Sequence, residues 1–143
     1  MFSTDRQTHR QIFLDAWRKS NAQETLEPLE SQLVEIMRRH PEYRPFLEDG
    51  ERALDQDFSP ELGQTNPFLH LGLHLAILEQ LSIDQPRGIR DHYQRLLARL
   101  GDPHRVEHAI MECLAEAIWR VQHQRVPFDD SAYLYCIQRL ADD

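Results

Sequence analysis

Apolar residues recur three and four positions apart along most of this sequence, as in "QLVEIMRRH" at 32–40 and "RDHYQRLLARL" at 90–100. This spacing matches the 3.6-residue period of an α-helix and places such residues on one face. No run of alternating β-branched residues, the pattern typical of a strand, occurs anywhere. A chain of 143 residues is long enough for one hydrophobic core. We therefore predict an all-α fold, a single-domain helical bundle of about five to six helices that spans residues 1–143.

Proline, glycine and capping residues mark the ends of the predicted helices. Pro41 ends the second helix, because the residue before a proline is kept out of the helical region. Asn66-Pro67 and Asp102-Pro103 each combine a capping side chain with a proline at the first helical position, so they begin the third and fifth helices. Residues 44–65 form a long, acidic connection that Pro45, Gly50, Pro60 and Gly63 break, with one short helix in "EDGERALDQ".

Charge and hydropathy exclude several classes of partner. The formal net charge is -8, whereas a nucleic-acid surface needs a basic stripe. The same charge disfavours anionic membranes, and the longest mainly apolar stretch, Phe68 to Leu81, is shorter than the roughly 20 residues that span a bilayer. Nothing at the N-terminus suggests a cleaved signal. We predict a cytoplasmic protein that binds neither nucleic acid nor membrane.

The two cysteines are interpreted as small buried apolar residues. Cys113 and Cys136 lie in helical segments, and neither belongs to a C-x-x-C pair. We therefore expect neither a disulfide scaffold nor a cysteine-based zinc site.

His70 and His74 lie one helical turn apart inside the most apolar part of the chain, "NPFLHLGLHLAILEQ" at 66–80. At about 100° per residue, both imidazoles fall in the middle of the large apolar face, and Glu79 falls on the opposite side. Two histidines four residues apart present two nitrogens on one side of a helix, as in metal-binding helices. Because zinc and non-haem iron need at least three ligands, the pair supplies half a site.

The fifth predicted helix offers the other half in a row of side chains four residues apart. The row is His104, His108, Glu112 and Glu116. We predict a divalent transition-metal site, for zinc or iron, built from two facing helices. Its candidate ligands are His70, His74, His108 and Glu112. Alternative ligands, or partners that orient the ligands, are His40, His104 and Glu116.

The apolar pattern of the fifth helix does not decide whether His108 and Glu112 face the core. Its main apolar stripe, which includes Val106, Ile110 and Leu114, lies almost opposite His108 and Glu112. If only that stripe faces the core, both candidate ligands face water. Trp119 lies on the histidine side and favours a helix that is sandwiched between neighbours.

A structural role for the histidines is the alternative. His70 and His74 would then be core histidines that donate to backbone carbonyls or to acids, namely Glu30, Glu35 or Glu116. A role in acid/base catalysis is a third interpretation, although no nucleophile accompanies it. The matching function is a non-catalytic interaction or adaptor protein without a cofactor, in which the acidic segment from Glu48 to Glu61 docks a basic or hydrophobic partner. A protein partner and a homo-oligomer both stay open.

Three segments carry a resemblance to a known family: "HPEY" at 40–43, "TNPFLHLGLHLAILEQ" at 65–80 and "EHAIMECLAEAIW" at 107–119. They resemble a family of small proteobacterial proteins known as domain of unknown function 1841. The similarity extends over nearly the whole chain and includes "DRQTHRQIFLDAW". The resemblance implies a cytoplasmic bacterial protein, helical and single-domain, and it brings no assigned activity.

Overall fold

The computed structural model describes the backbone of residues 2–55 and 66–142. These residues form eight α-helices and one 3₁₀ turn, and they contain no strand, which confirms the all-α prediction. The helices are α1 (Phe2–Asn21), α2 (Pro28–Arg38), α3 (Arg44–Glu48), α4 (Gly50–Asp55), α5 (Pro67–Ile83), α6 (Ile89–Leu100), α7 (Pro103–Gln124) and α8 (Asp130–Asp142), and the 3₁₀ turn is Pro41–Tyr43. None of the helices in the described ranges is long and apolar enough to cross a membrane.

The chain divides into two compact units, Met1–Leu75 and Ala76–Asp143. Each unit is described by itself below. The single domain over residues 1–143 stays a prediction.

The described part of the chain has eight helices where five to six are predicted. The helix that the sequence does not predict is the short α3, which lies with α4 in the segment predicted to be mostly broken. Pro45 lies in the first turn of α3, where its missing N–H costs no hydrogen bond, so it begins a helix instead of ending one. The short helix predicted in "EDGERALDQ" corresponds to α4. Residues 56–65 of the acidic connection lie outside the described residues.

In the first unit, α1 packs against α2 and α4. The core that they share includes Phe13, Ala16, Leu33 and Ile36. Arg10 is buried beside them, and its Nη1 donates hydrogen bonds to the carbonyl oxygens of Ala53 and Leu54 at 2.8 and 3.2 Å. Its guanidinium also lies 5.0 Å from the centre of the Phe68 ring. One buried cation therefore joins α1, α4 and the first turn of α5.

In the second unit, α6, α7 and α8 pack against one another. Their core includes Ile89, Leu96, Val106, Ile110, Tyr133 and Ile137. The buried Tyr133 phenol donates a hydrogen bond of 2.7 Å to Oε1 of Gln80. Burial raises the pKa of Tyr133 further above physiological pH, where the phenol is a neutral donor.

Cys113 of α7 and Cys136 of α8 form a disulfide, with their Cα atoms 5.8 Å apart. The prediction that both are unpaired apolar residues is wrong. The packing of α7 against α8 brings the two cysteines within bonding range, and a separation of 23 residues carries no local signal of this.

Asn66 caps α5 as predicted. Its Oδ1 accepts hydrogen bonds from the backbone N–H groups of Phe68 and Leu69 at 3.0 and 3.2 Å. We expect Asn66→Ala to lower the free energy of unfolding by about 1 kcal/mol, because two N–H groups lose their acceptor. Urea denaturation measures the change, and Asn66→Asp, which keeps an acceptor, is the control. An alanine variant as stable as the wild type would contradict this account of the cap.

Candidate metal centre

Three histidines of the first unit form a buried group that we call the histidine cluster: His40, His70 and His74. Each offers one ring nitrogen, and these nitrogens lie within 4.8 Å of one another. The His40 ring centre is 4.8 Å from that of His70 and 5.2 Å from that of His74, both edge to face. His40 is 2% and His74 is 0% exposed, and His70 is partly buried. Three imidazoles thus share one place in an apolar interior.

The end of α2 positions His40. Because Pro41 follows, His40 is kept out of the helical region, and its backbone has φ -123° and ψ 67°. The ring turns back along the helix, and Nδ1 lies 2.8 Å from the carbonyl oxygen of Ile36. The same carbonyl oxygen accepts a 3.1 Å hydrogen bond from the backbone N–H of Arg39, and its second lone pair accepts the imidazole N–H.

This hydrogen bond fixes which nitrogen of His40 carries the proton. A carbonyl oxygen only accepts, so Nδ1 must be the donor, and in the neutral ring Nε2 keeps its lone pair. That Nε2 lies 3.1 Å from Nε2 of His70, which therefore donates to it. A backbone carbonyl that holds one nitrogen while the other faces the ligand site is the arrangement found around metal-binding histidines.

The first turns of α5 position His70 and His74. Phe68, on the same stretch, is 2% exposed, and its ring centre is 6.2 Å from that of Phe13 in α1. Through this contact the first turn of α5 packs against α1. The four-residue spacing then points both imidazoles to one side, with ring centres 6.3 Å apart. The prediction that the pair faces the core is confirmed.

Tyr43 covers one side of the cluster. Its ring stacks on His40, with centres 5.4 Å apart and planes 8° apart, and lies 5.7 Å from His70. Burial raises the pKa of Tyr43 above its ordinary value, which is already well above physiological pH. The cluster is therefore covered on this side by a neutral ring.

The donor set of the first unit consists of imidazoles alone. No carboxylate of its described residues belongs to the group of nitrogens. Neutral imidazole is a borderline ligand that suits zinc, copper, nickel and iron, whereas magnesium and calcium require oxygen ligands. The cluster is therefore chemically suited to a transition metal.

The predicted ligands of the fifth helix lie in the second unit, on α7. His108 is partly buried, and its ring centre lies 4.0 Å from that of His104. Glu112, one turn further along, is exposed. Trp119, which favours a buried histidine side, is 51% exposed, so this support is lost. The roles of His108 and Glu112 as ligands stay predictions.

The sequence places His40 only among the alternative ligands, yet it lies at the centre of the cluster. A signal for it exists in α2, where Leu33, Ile36 and Met37 are buried. Position 40 continues this stripe by one more turn, so a histidine there is directed inward. The proline that ends the helix at the next residue hides this continuation.

The acids that were expected to pair with core histidines have other partners. Glu30 pairs with Lys19 at 2.9 Å, Glu35 with Arg39 at 2.9 Å and Glu116 with Arg120 at 2.8 Å. The hydrogen bond from the Glu27 N–H and then that from Lys19 lower the pKa of Glu30. The alternative in which the histidines only support the core also expects donation to backbone carbonyls. His40 makes such a hydrogen bond, to the carbonyl oxygen of Ile36.

Residues 5–139 match the family described as domain of unknown function (DUF1841). No curated protein and no solved structure matches the chain. The match covers most of the 143 residues, from α1 to α8, and includes every histidine of the cluster. The chain belongs to the DUF1841 family.

Proposed function

We propose that this protein binds a divalent transition metal, zinc foremost, through His40, His70 and His74. The 3.1 Å separation between the Nε2 atoms of His40 and His70 is the observation that carries the proposal. On a tetrahedral zinc ion with Zn–N bonds of about 2.0–2.1 Å, two donor nitrogens lie roughly 3.3 Å apart. The pair therefore already has nearly the separation that such an ion requires.

Burial supports the same conclusion. Polar rings in an apolar interior destabilise a fold unless their nitrogens are satisfied, and this cluster holds three of them. An ion that accepts one lone pair from each ring offsets that cost. At His70 this requires that Nε2, which donates to His40 without the ion, gives up its proton to bind the metal. The carbonyl of Ile36 keeps the Nε2 lone pair of His40 available for this purpose.

The ligand types favour zinc over the other metals. Non-haem iron sites combine two histidines with a carboxylate, whereas the cluster contains only imidazoles among the described residues of the first unit. Three histidines leave one position of a tetrahedral zinc ion for a water molecule or a further ligand.

Metal analysis tests the proposal. Protein purified without a histidine tag is expected to hold about one equivalent of zinc, to lose it to a strong chelator and to take it up again when zinc is returned. Magnesium at the same concentration is the control and should leave the protein unchanged. A zinc content below about one tenth of an equivalent after incubation with Zn²⁺ would contradict the proposal.

His108 and Glu112 are tested separately as further ligands. If either completes the coordination, His108→Ala or Glu112→Ala weakens zinc binding about as much as the loss of one cluster histidine. A variant that binds zinc as the wild type does removes that residue from the ligand set. The interaction function stays a prediction, since part of the acidic segment lies at residues 56–61, outside the described residues. The bacterial source and the cytoplasmic location also stay predictions.

A further inference from the structure

A groove in the second unit contains the disulfide. It has a volume of about 880 Å³ and lies between the C-terminal half of α7, residues 126–129 and α8. Both cysteines line it, together with the aromatic rings of Phe128, Tyr133 and Tyr135. A disulfide in the wall of a groove of this size is open to attack by a small molecule, unlike one that is enclosed by the core.

The two sulfurs of the bridge differ in their access to the groove. Cys113 is 2% exposed and belongs to the buried stripe of α7. Cys136 is partly exposed on α8. Since a nucleophile must reach the sulfur that it attacks, the Sγ of Cys136 is the accessible target and Cys113 is the leaving group.

The charged side chains of the groove carry both signs. Its basic residues are Arg120 and Arg139, and its acidic residues are Glu116, Asp129 and Asp130. A ligand with one kind of charge would meet repulsion from one of these sets. Arg120 and Glu116 pair with each other at 2.8 Å, so Arg139, Asp129 and Asp130 are the charges of the lining that a ligand meets. A thiol that carries both an ammonium and a carboxylate group suits such a lining, because each group finds an opposite charge.

We propose that Cys136 is a site of thiol–disulfide exchange with a small zwitterionic thiol that enters this groove. The thiolate of the incoming molecule forms a bond to Sγ of Cys136, and the bond between Cys136 and Cys113 breaks. Cys113 leaves with the electron pair and takes a proton from water. Attack by Cys113 on the mixed disulfide reverses the step, and attack by a second small thiol releases an oxidised thiol dimer and leaves both cysteines reduced. The state of the bridge thus follows the surrounding thiol pool.

This exchange is independent of the metal proposal, and the opened form is expected to stay folded. The packing of α6, α7 and α8 rests on buried apolar residues that the reaction does not change. The loss of one bridge is smaller than the stability of a typical domain.

Peptide mapping of the wild type is the first test. The protein is incubated with reduced glutathione, quenched with acid and digested. Glutathione is expected on Cys136 at least about tenfold more often than on Cys113, while circular dichroism shows an unchanged helix content. Equal labelling of the two cysteines, or a bridge that opens only as the helix signal is lost, would overturn the proposal.

Single-cysteine variants give a second, independent readout. Cys113→Ser leaves only Cys136, and Cys136→Ser leaves only Cys113. With oxidised glutathione, the free thiol of Cys113→Ser should form a mixed disulfide at least about tenfold faster than that of Cys136→Ser. Equal rates in two variants that are both folded would contradict the assignment of Cys136 as the accessible sulfur.

The class of thiol is tested at Arg139. Arg139→Ala should slow exchange with glutathione several-fold and leave exchange with neutral 2-mercaptoethanol unchanged. Arg95→Ala is the matched control, since Arg95 is an exposed arginine of α6 that does not line the groove. Equal slowing of both thiols by Arg139→Ala, or no slowing of either, would rule out recognition of a zwitterion.

Discussion

Simultaneous replacement of His70 and His74 by alanine is expected to abolish zinc binding. The change removes two of the three proposed ligands, and zinc sites in proteins need at least three. Zinc at about 100 times its dissociation constant should stabilise the wild type by about 2.7 kcal/mol. For a chain of this size, that raises the melting temperature by about 8 °C. The double variant should show no such rise in a thermal scan with and without zinc.

His123→Ala is the matched control. His123 is exposed at the end of α7, where its Nδ1 donates to the carbonyl oxygen of Trp119 at 3.0 Å. This variant should keep both the zinc content and the zinc-dependent rise in melting temperature. If the cluster only supports the core, zinc leaves the wild type unchanged, and the double variant melts several degrees lower in every buffer. That pattern would contradict the metal proposal.

Loss of the bridge between Cys113 and Cys136 is expected to lower the free energy of unfolding by about 3 kcal/mol. The bond closes a loop of 23 residues, and its removal returns that conformational freedom to the unfolded chain. The melting temperature should fall by about 10 °C. Urea denaturation of the Cys113→Ala, Cys136→Ala double variant measures the change.

Reduction provides the control that needs no substitution. The reduced wild type and the double variant should unfold at the same urea concentration, and a reductant should leave the double variant unaffected. Alanine is chosen because a buried hydroxyl group at position 113 would add a cost of its own. A double variant as stable as the oxidised wild type would show that the bridge contributes nothing to stability.

The features that are predicted correctly from the sequence depend on residues that are close together in the chain. Asn66-Pro67 and Asp102-Pro103 begin α5 and α7 as predicted, because a cap and a first-turn proline act within four residues of chain. The inward orientation of His70 and His74 follows from helical period alone. These features need no knowledge of the neighbouring helices.

Proline has two opposite effects, and the sequence does not decide between them at residue 45. Pro41 ends α2, as predicted, whereas Pro45 begins α3. The two prolines differ in the structure that precedes them. Pro41 follows the end of α2, whereas Pro45 follows the 3₁₀ turn Pro41–Tyr43, which leads directly into the first turn of α3. The number of helices was therefore predicted too low.

The pairing of the cysteines and the central place of His40 depend on tertiary contacts. Cys113 is correctly predicted to be buried, but its bond requires that α8 packs against α7. His40 joins His70 across 30 residues of chain. Periodicity assigns a face to each helix and does not specify which faces meet, so neither contact can be read from one helix at a time.

The group that orients His40 belongs to the main chain, and this affects how the site tolerates evolutionary drift. The carbonyl of Ile36 is present whatever side chain stands at that position, so any substitution there that keeps α2 helical keeps the tautomer of His40. Pro41 has no such freedom, because only proline excludes its preceding residue from the helix by sterics. Among relatives that keep the three histidines, we therefore expect position 36 to vary among apolar residues and position 41 to stay proline.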